Sequence, residues 1–386
     1  MAPDWKASLS ASERYDAIQR IQSTRGLSMG DAIPIEQQAY HESSTKDEYL
    51  SACQPPVSPV VDDEDEPPAE PEPILATGIR IGSYDNCIPI ADGLTSEVYR
   101  SGSKALKVII PFSYSMEPHN PQREVRILES LRDHQGIIQL LDVFRDHEQR
   151  LVLEFPYMPL TLADLLAGRD DALSTDQLRT IFTDALHALD DIHSQGIIHR
   201  DIKPSAILLA SPSGPAYLSD FGTTWHPAFS SVTEPPDAKI LDIGTGPYRA
   251  PEVLFGNKSY GPPVDMWGLG VVLSETIRSP PMPVFESRPA HEDGNQLGLI
   301  LSIFKTLGTP TPETWPEAKE FKVAPFELWT VFPQRSWEGI LPGVDAEFRD
   351  LVAALVRFDG RRATAHQVCP AFYTTVTRKR ANISML

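Results

Sequence analysis

His199-Arg200-Asp201-Ile202-Lys203-Pro204 is followed, nineteen residues after Asp201, by Asp220-Phe221-Gly222, and Ala250-Pro251-Glu252 then places Glu252 thirty-two residues beyond Asp220. Any one of these short words is weak alone, since a His-Arg-Asp triplet is commonly a solvated surface patch and an Asp-Phe-Gly a turn. Their order and setting carry the signal. Just upstream, Ser174-Thr175-Asp176-Gln177 has the spacing of a capping box. Leu178, Ile181, Phe182, Ala185, Leu186, Leu189 and Ile192 then recur at helical spacing, and Gly196 supplies a stop. The first triplet therefore stands in the loop leaving a long, capped, amphipathic helix.

Working outward towards the N-terminus, residues 79–110 alternate and turn like a β-meander. Glu97-Val98-Tyr99-Arg100 leads through a Ser101-Gly102-Ser103 turn into Lys104-Ala105-Leu106-Lys107-Val108-Ile109. Asn120 and Pro121 make an N-cap and first helical position for the helix carrying Arg123-Glu124-Val125. Strands first and helices after predict an α+β body in two lobes, a small β-rich one over 76–158 and a larger helical one over 159–373, with a tail at 374–386. Gln54 to Pro73 holds seven prolines, seven acids and no base, which predicts an extended, disordered linker (54–75). Before it, an N-terminal extension (1–53) shows a capping box at Ser10-Ala11-Ser12-Glu13 and a thin apolar face of Tyr15, Ile18 and Ile21, ending at Gly26. A second short helix is expected after Pro34.

The bulk numbers exclude several classes. Of 386 residues, 41% are hydrophobic and 23% charged, which is ordinary for a globular protein. The net charge of −19 argues against nucleic-acid binding, which needs a basic surface. Residues 1–75 carry fifteen acids and five bases, so −10 of that charge sits in the first fifth of the chain. No run of eighteen apolar residues predicts a membrane span, and the N-terminus lacks a secretory pattern. Cys53, Cys87 and Cys369 form neither a metal pair nor a disulfide framework. Nucleus or cytoplasm is the expected compartment.

Taken together, the motifs resemble those of the eukaryotic protein kinases, over residues from about 79 to 373. The resemblance implies the two-lobed kinase fold and transfer of the γ-phosphate of ATP, with Mg²⁺, to a serine or threonine of a protein substrate. On that reading Asp201 orients the substrate hydroxyl and accepts its proton. Lys203 stabilises the moving phosphoryl group, and a lysine there is typical of the serine/threonine class. Asp220 holds the metal, and Lys107 reaches the α- and β-phosphates while paired with a helix glutamate. Glu124 is the better partner; Glu129 is the alternative on the same predicted helix. Ala91, Gly93, Ser96 and Val98 would cover the phosphates, and Glu154, Phe155 and Pro156 would form the adenine hinge. Gly244-Thr245-Gly246-Pro247-Tyr248-Arg249-Ala250-Pro251-Glu252 looks like the substrate-pocket segment of cyclin-dependent kinases and their relatives, with Thr223, Thr245, Arg249 and Glu252 as its candidate residues. Asp265-Met266-Trp267-Gly268-Leu269-Gly270 resembles the buried helix that braces the catalytic loop. Leu307-Gly308-Thr309-Pro310 and Glu313-Thr314-Trp315-Pro316 match that group's insert, and Arg362 is expected to pair with Glu252.

The departures from the family pattern are equally specific. Only the middle glycine, Gly93, survives in Ala91-Asp92-Gly93-Leu94-Thr95-Ser96. Ala206 stands where the family has a metal-binding asparagine. Pro121 and Gln122 replace residues that a cyclin grips. Ile240 aligns with the threonine usually phosphorylated, and Trp225 replaces an arginine that binds that phosphate, although Arg123 and Arg200 remain. These features resemble the fungal monomeric kinases that activate cyclin-dependent kinases, which need neither cyclin nor loop phosphate. Thr223, Gly244 and Pro247 fit threonines not followed by proline. Pro156 has no N–H to offer adenine, so either the hinge register slips or one hydrogen bond is absent. The competing class is a pseudokinase scaffold, favoured by Ala206 and the reduced glycine loop and opposed by Lys107, Glu124, Asp201, Lys203 and Asp220. A small-molecule phosphotransferase is disfavoured by the Ala-Pro-Glu segment and the insert.

Overall fold

The computed structural model describes residues 17, 21, 35, 39–40, 43, 45–53, 78–93, 95–110, 117–287, 296–326 and 330–369. The capping box at Ser10–Glu13, the acidic proline-rich stretch 54–73 and the tail 374–386 lie outside the described residues. The chain forms two units, 1–74 and 75–386.

In the first unit, residues 17 and 21, then 35, 39 and 40, are helical, and α1 follows at Lys46–Ala52. The Thr45 hydroxyl oxygen accepts the Glu48 N–H at 3.2 Å and caps α1. Ala17, Ile21, Ala39, Tyr49 and Cys53 are buried together. Of the apolar face read from the sequence, Ile21 is described and packs in this cluster, while Tyr15 and Ile18 lie outside the described residues; α1 itself carried too few apolar residues to be marked in advance.

The second unit begins with a six-stranded antiparallel sheet in the order β1-β2-β3-β4-β6-β5. Its strands are β1 (Ile79–Ile81), β2 (Tyr84–Asp92), β3 (Ser96–Ser101), β4 (Lys104–Ile109), β5 (Asp142–Arg145) and β6 (Leu151–Pro156). The β3–β4 hairpin turns at Gly102, whose φ of 58° suits a residue without Cβ. Successive strand residues face opposite sides. Leu106 and Val108 join Ile81, Cys87 and Val152 in a small core, and Lys107 between them faces the other way. Between β4 and β5 lies α2 (Pro121–Ser130), capped by Asn120, whose Oδ1 accepts the Arg123 N–H at 3.0 Å.

The larger lobe contains α3 (Leu162–Leu166) and α4 (Thr175–Ser194), the latter opened by the expected capping box in both directions. A small sheet of β7 (Leu160–Thr161), β8 (Ile207–Leu209) and β9 (Ala216–Leu218) fixes the two ends of the segment from Ala206 to Asp220. Then come α5 (Pro251–Leu254), α6 (Pro263–Thr276), α7 (Leu297–Leu307), α8 (Trp337–Ile340) and α9 (Ala346–Leu355). Helix α6 is buried on nearly every side. A Cβ on Gly268 would lie 2.9 Å from the Ile202 carbonyl oxygen, and one on Gly270 2.7 Å from the Leu355 Cβ. Glycines therefore let α6 touch the 199–206 loop on one side and α9 on the other. Among the described residues, no helix is long and apolar enough to cross a membrane.

Candidate active site

Asp265, in the first turn of α6, sets the 199–206 loop. Its buried carboxylate accepts the backbone N–H groups of His199 at 2.8 Å and Arg200 at 2.7 Å, and meets His193 Nε2 at 2.9 Å. Arg200 has a φ of 77°, a left-handed backbone that non-glycine residues seldom adopt without such anchoring. His199 Nε2 donates to the Ser219 carbonyl at 2.8 Å, and Nδ1 accepts the Asp201 N–H at 3.3 Å. The loop is thereby tied to the strand that ends at Asp220.

The expected catalytic side chains meet in one continuous chain. Lys107 Nζ lies 2.6 Å from Glu124 Oε1 and 3.3 Å from Asp220 Oδ1. Glu129, the alternative partner, is exposed near the far end of α2. Lys203 Nζ donates to Asp201 Oδ2 and lies 3.8 Å from Asp220 Oδ2. The Thr245 hydroxyl donates to Asp201 Oδ1 at 2.6 Å, and Lys203 reaches that hydroxyl at 3.4 Å. Enclosure by the cleft walls disfavours charge on Asp220, but the ammonium groups of Lys107 and Lys203 prevail and hold its carboxyl well below the usual range. Enclosure likewise disfavours charge on Lys107, and the Glu124 and Asp220 carboxylates outweigh it, so this ammonium keeps its proton far above the lysine norm.

A cavity of about 670 Å³ opens above these groups. Ala91, Gly93, Ser96, Val98, Lys107, Phe155 and Pro156 line it, with Ser205 and Asp220 on its floor. The β2–β3 turn closes through the Gly93 N–H on the Ser96 carbonyl at 3.0 Å, and a Cβ on Gly93 would crowd that carbonyl at 3.3 Å. Glu154 does not join this lining. Its side chain is spent on Lys104 at 2.7 Å and on the Tyr84 hydroxyl at 2.6 Å, because alternation along β6 turns it from the cavity. At the hinge, Pro156 has no N–H and the Tyr157 N–H donates to the Ser103 carbonyl at 2.9 Å, while the cavity wall continues through Tyr157 and Met158.

Beyond Lys203 and Ser205, which line both spaces, lies a groove of about 450 Å³ that includes Thr245, Tyr248 and Glu275. Tyr248 donates to Glu275 Oε2 at 2.7 Å. Sequence reasoning missed this pair; its one signal is Glu275, an acid ten residues after Asp265 in an otherwise apolar stretch. The structure places the other expected pocket residues apart from the groove. Thr223 is buried, its hydroxyl donating to the His199 carbonyl at 3.3 Å, since the turn after Asp220 folds inward. Arg249 turns back to the Gly244 carbonyl at 2.9 Å. Glu252 is doubly bonded to Arg362, at 2.6 and 3.0 Å, which anchors α5.

The donor set for magnesium is sparse. Ala206 is wholly buried, and its carbonyl accepts from Ser219 N and Oγ. Among the described residues no group of three or more His, Cys, Asp and Glu side chains could hold a metal unaided. One carboxylate facing a cavity sized for a nucleotide still fits Mg²⁺, which ordinarily takes one or two carboxylates plus substrate phosphates. Asp220 would be that ligand.

A family model described as the protein kinase domain matches residues 93–374. The serine/threonine-protein kinase csk1 of Schizosaccharomyces pombe is 37% identical over 287 residues, covering 70% of this chain and 88% of that protein. The serine/threonine-protein kinase CAK1 of Saccharomyces cerevisiae is 32% identical over 290 residues, covering 63% of this chain and 78% of its own length. A chain in the crystal structure of the yeast RNA Pol II CTD kinase CTDK-1 complex superposes with a TM-score of 0.61 over 82% of this chain and 96% of that one, at 23% identity.

Proposed function

The chain belongs to the protein kinase family, and from that premise we propose that it transfers the γ-phosphate of ATP to serine or threonine hydroxyls of protein substrates. The observation carrying this reading is the unbroken run of contacts from Glu124 through Lys107, Asp220, Lys203 and Asp201 to Thr245, which links the nucleotide-sized cavity to the groove. Asp201 takes the hydroxyl proton, while Thr245 and Lys203 hold its carboxylate in place. Lys203 can swing from Asp201 to the phosphoryl oxygens, and Lys107, fixed by Glu124, neutralises the phosphates that remain. Asp220 would hold Mg²⁺, which when bound would supply positive charge against the phosphates.

Among protein substrates, other cyclin-dependent kinases are the proposed class, with threonines not followed by proline as acceptors. The resemblance to cyclin-independent members of the group supports this: Pro121 and Gln122 offer no cyclin grip, and Ile240 has no hydroxyl to phosphorylate. The chain should act without a cyclin, in nucleus or cytoplasm. Radiolabelled ATP with Mg²⁺ and a threonine-containing kinase substrate tests the reading. Asp201→Asn is expected to lower turnover about 10²–10⁴-fold; unchanged turnover would refute the role. A second reading, a scaffold that binds ATP without transfer, is favoured by the methyl of Ala206. It would be accepted if the folded wild-type chain bound ATP and transferred nothing.

A further inference from the structure

One buried ion pair has no part in the mechanism above. Arg200 adjoins Asp201, and its guanidinium is fully buried against the carboxylate of Glu234, itself 2% exposed, at 2.5 Å. A guanidinium cannot shed its charge, so without a counter-ion this burial would be very costly. Among the described residues Glu234 is its one salt-bridge partner, and Nε and Nη1 of Arg200 make no further hydrogen bond. Arg123, the other candidate cation, is turned to Glu117 at 3.1 Å and to the Pro118 carbonyl.

Glu234 also gathers the segment around it. The Ile240 N–H donates to the same carboxylate oxygen at 2.7 Å, and Trp225 Nε1–H donates to the Glu234 carbonyl at 2.9 Å. Lys239, also buried, lies 4.9 Å from the centre of the Trp225 ring and donates to the Tyr260 carbonyl at 2.8 Å. Ile240 and Trp225 are the two positions where this chain lacks the groups that would carry and bind an added phosphate. Both contact Glu234 instead.

We propose that Glu234 is a positioning residue for phosphoryl transfer: a built-in anion that holds Arg200, and through it Asp201, in working geometry with no phosphate added to the chain. The proposal rests on the kinase reading and is tested on the full chain by two separable measurements. The first is turnover on a threonine-containing protein substrate. Phosphatase-treated wild-type chain should keep its full rate. Glu234→Ala should lose about 10²-fold in turnover, the size of effect that a small misplacement of a reacting group produces. Sodium formate, a carboxylate small enough for the vacated space, should restore about tenfold of it, as one charge-assisted hydrogen bond allows. Glu234→Gln, which keeps the shape but not the charge, should fall with Glu234→Ala rather than with wild type. A merely space-filling role predicts the reverse for Glu234→Gln and no response to formate. The second measurement is amide exchange at Ile240, which should quicken in Glu234→Gln whether or not the chain transfers phosphate. Wild-type turnover in both variants, or loss of activity on phosphatase treatment, overturns the proposal. A wild-type chain without transfer overturns the kinase reading, while unchanged exchange at Ile240 overturns the anchoring by Glu234.

Discussion

Asp220 stands between two ammonium groups, and this gives its carboxyl a measurable acid signature. Its folded value lies below the ordinary 3.8, so its favourable pairing is complete above that pH and is lost as pH falls below it. The thermal midpoint of wild type should therefore exceed that of Asp220→Asn by a constant margin from pH 7 down to about 4, and the margin should shrink in stronger acid. A margin that grows on acidification would contradict the pairing with Lys107 and Lys203. Residues of this kind were legible in the sequence because phosphoryl chemistry tolerates few side-chain types at fixed spacing. Glu234 was not: it sits in Thr233-Glu234-Pro235-Pro236, with no periodicity to mark it, and its meaning appears only when the fold brings it to Arg200. Thr223 was read as a candidate substrate-pocket residue, and the inward turn after Asp220 shows why chain position alone could not place its side chain.

At the scale of elements, α2 is held by its cap. Its cap, Asn120, binds the Arg123 N–H through its side chain and the Gly222 carbonyl through its own N–H at 3.1 Å. One residue therefore both starts the helix bearing Glu124 and ties it to the Asp220 segment. Asn120→Ala should cost about 1 kcal/mol of stability and loosen Glu124 from Lys107. Denaturant unfolding and steady-state kinetics check this, with KM for ATP expected to rise. Full stability with unchanged KM would show that the cap does not position the helix. Capped helices such as α2 and α4 were legible because the start signals are local. The helix α1 was not, because seven residues holding only Tyr49 and Leu50 as large apolar groups become a helix through tertiary burial.

For the whole molecule, the order of strands and helices disclosed two lobes, but the facing of cavity and groove depends on which side each strand residue takes. The proposed single magnesium ligand has a global consequence. Activity should rise with free Mg²⁺ well above the ATP concentration, and Ala206→Asn should raise turnover by up to ~10²–10³-fold while flattening that dependence. Turnover measured against Mg²⁺ for both forms decides it; identical curves would show that residue 206 is immaterial to the metal. The hinge between the lobes bears on pharmacology. Flat heterocycles built to accept a hydrogen bond from the second backbone position after Glu154 meet Pro156, and the next N–H is already committed to Ser103. Such inhibitors should bind several-fold more weakly here than a net hydrogen bond of about 0.5–1.5 kcal/mol would otherwise permit. Compounds that only fill the apolar slot between Val98 and Leu208 should keep their affinity, giving this chain a resistance profile that a matched inhibitor series would reveal.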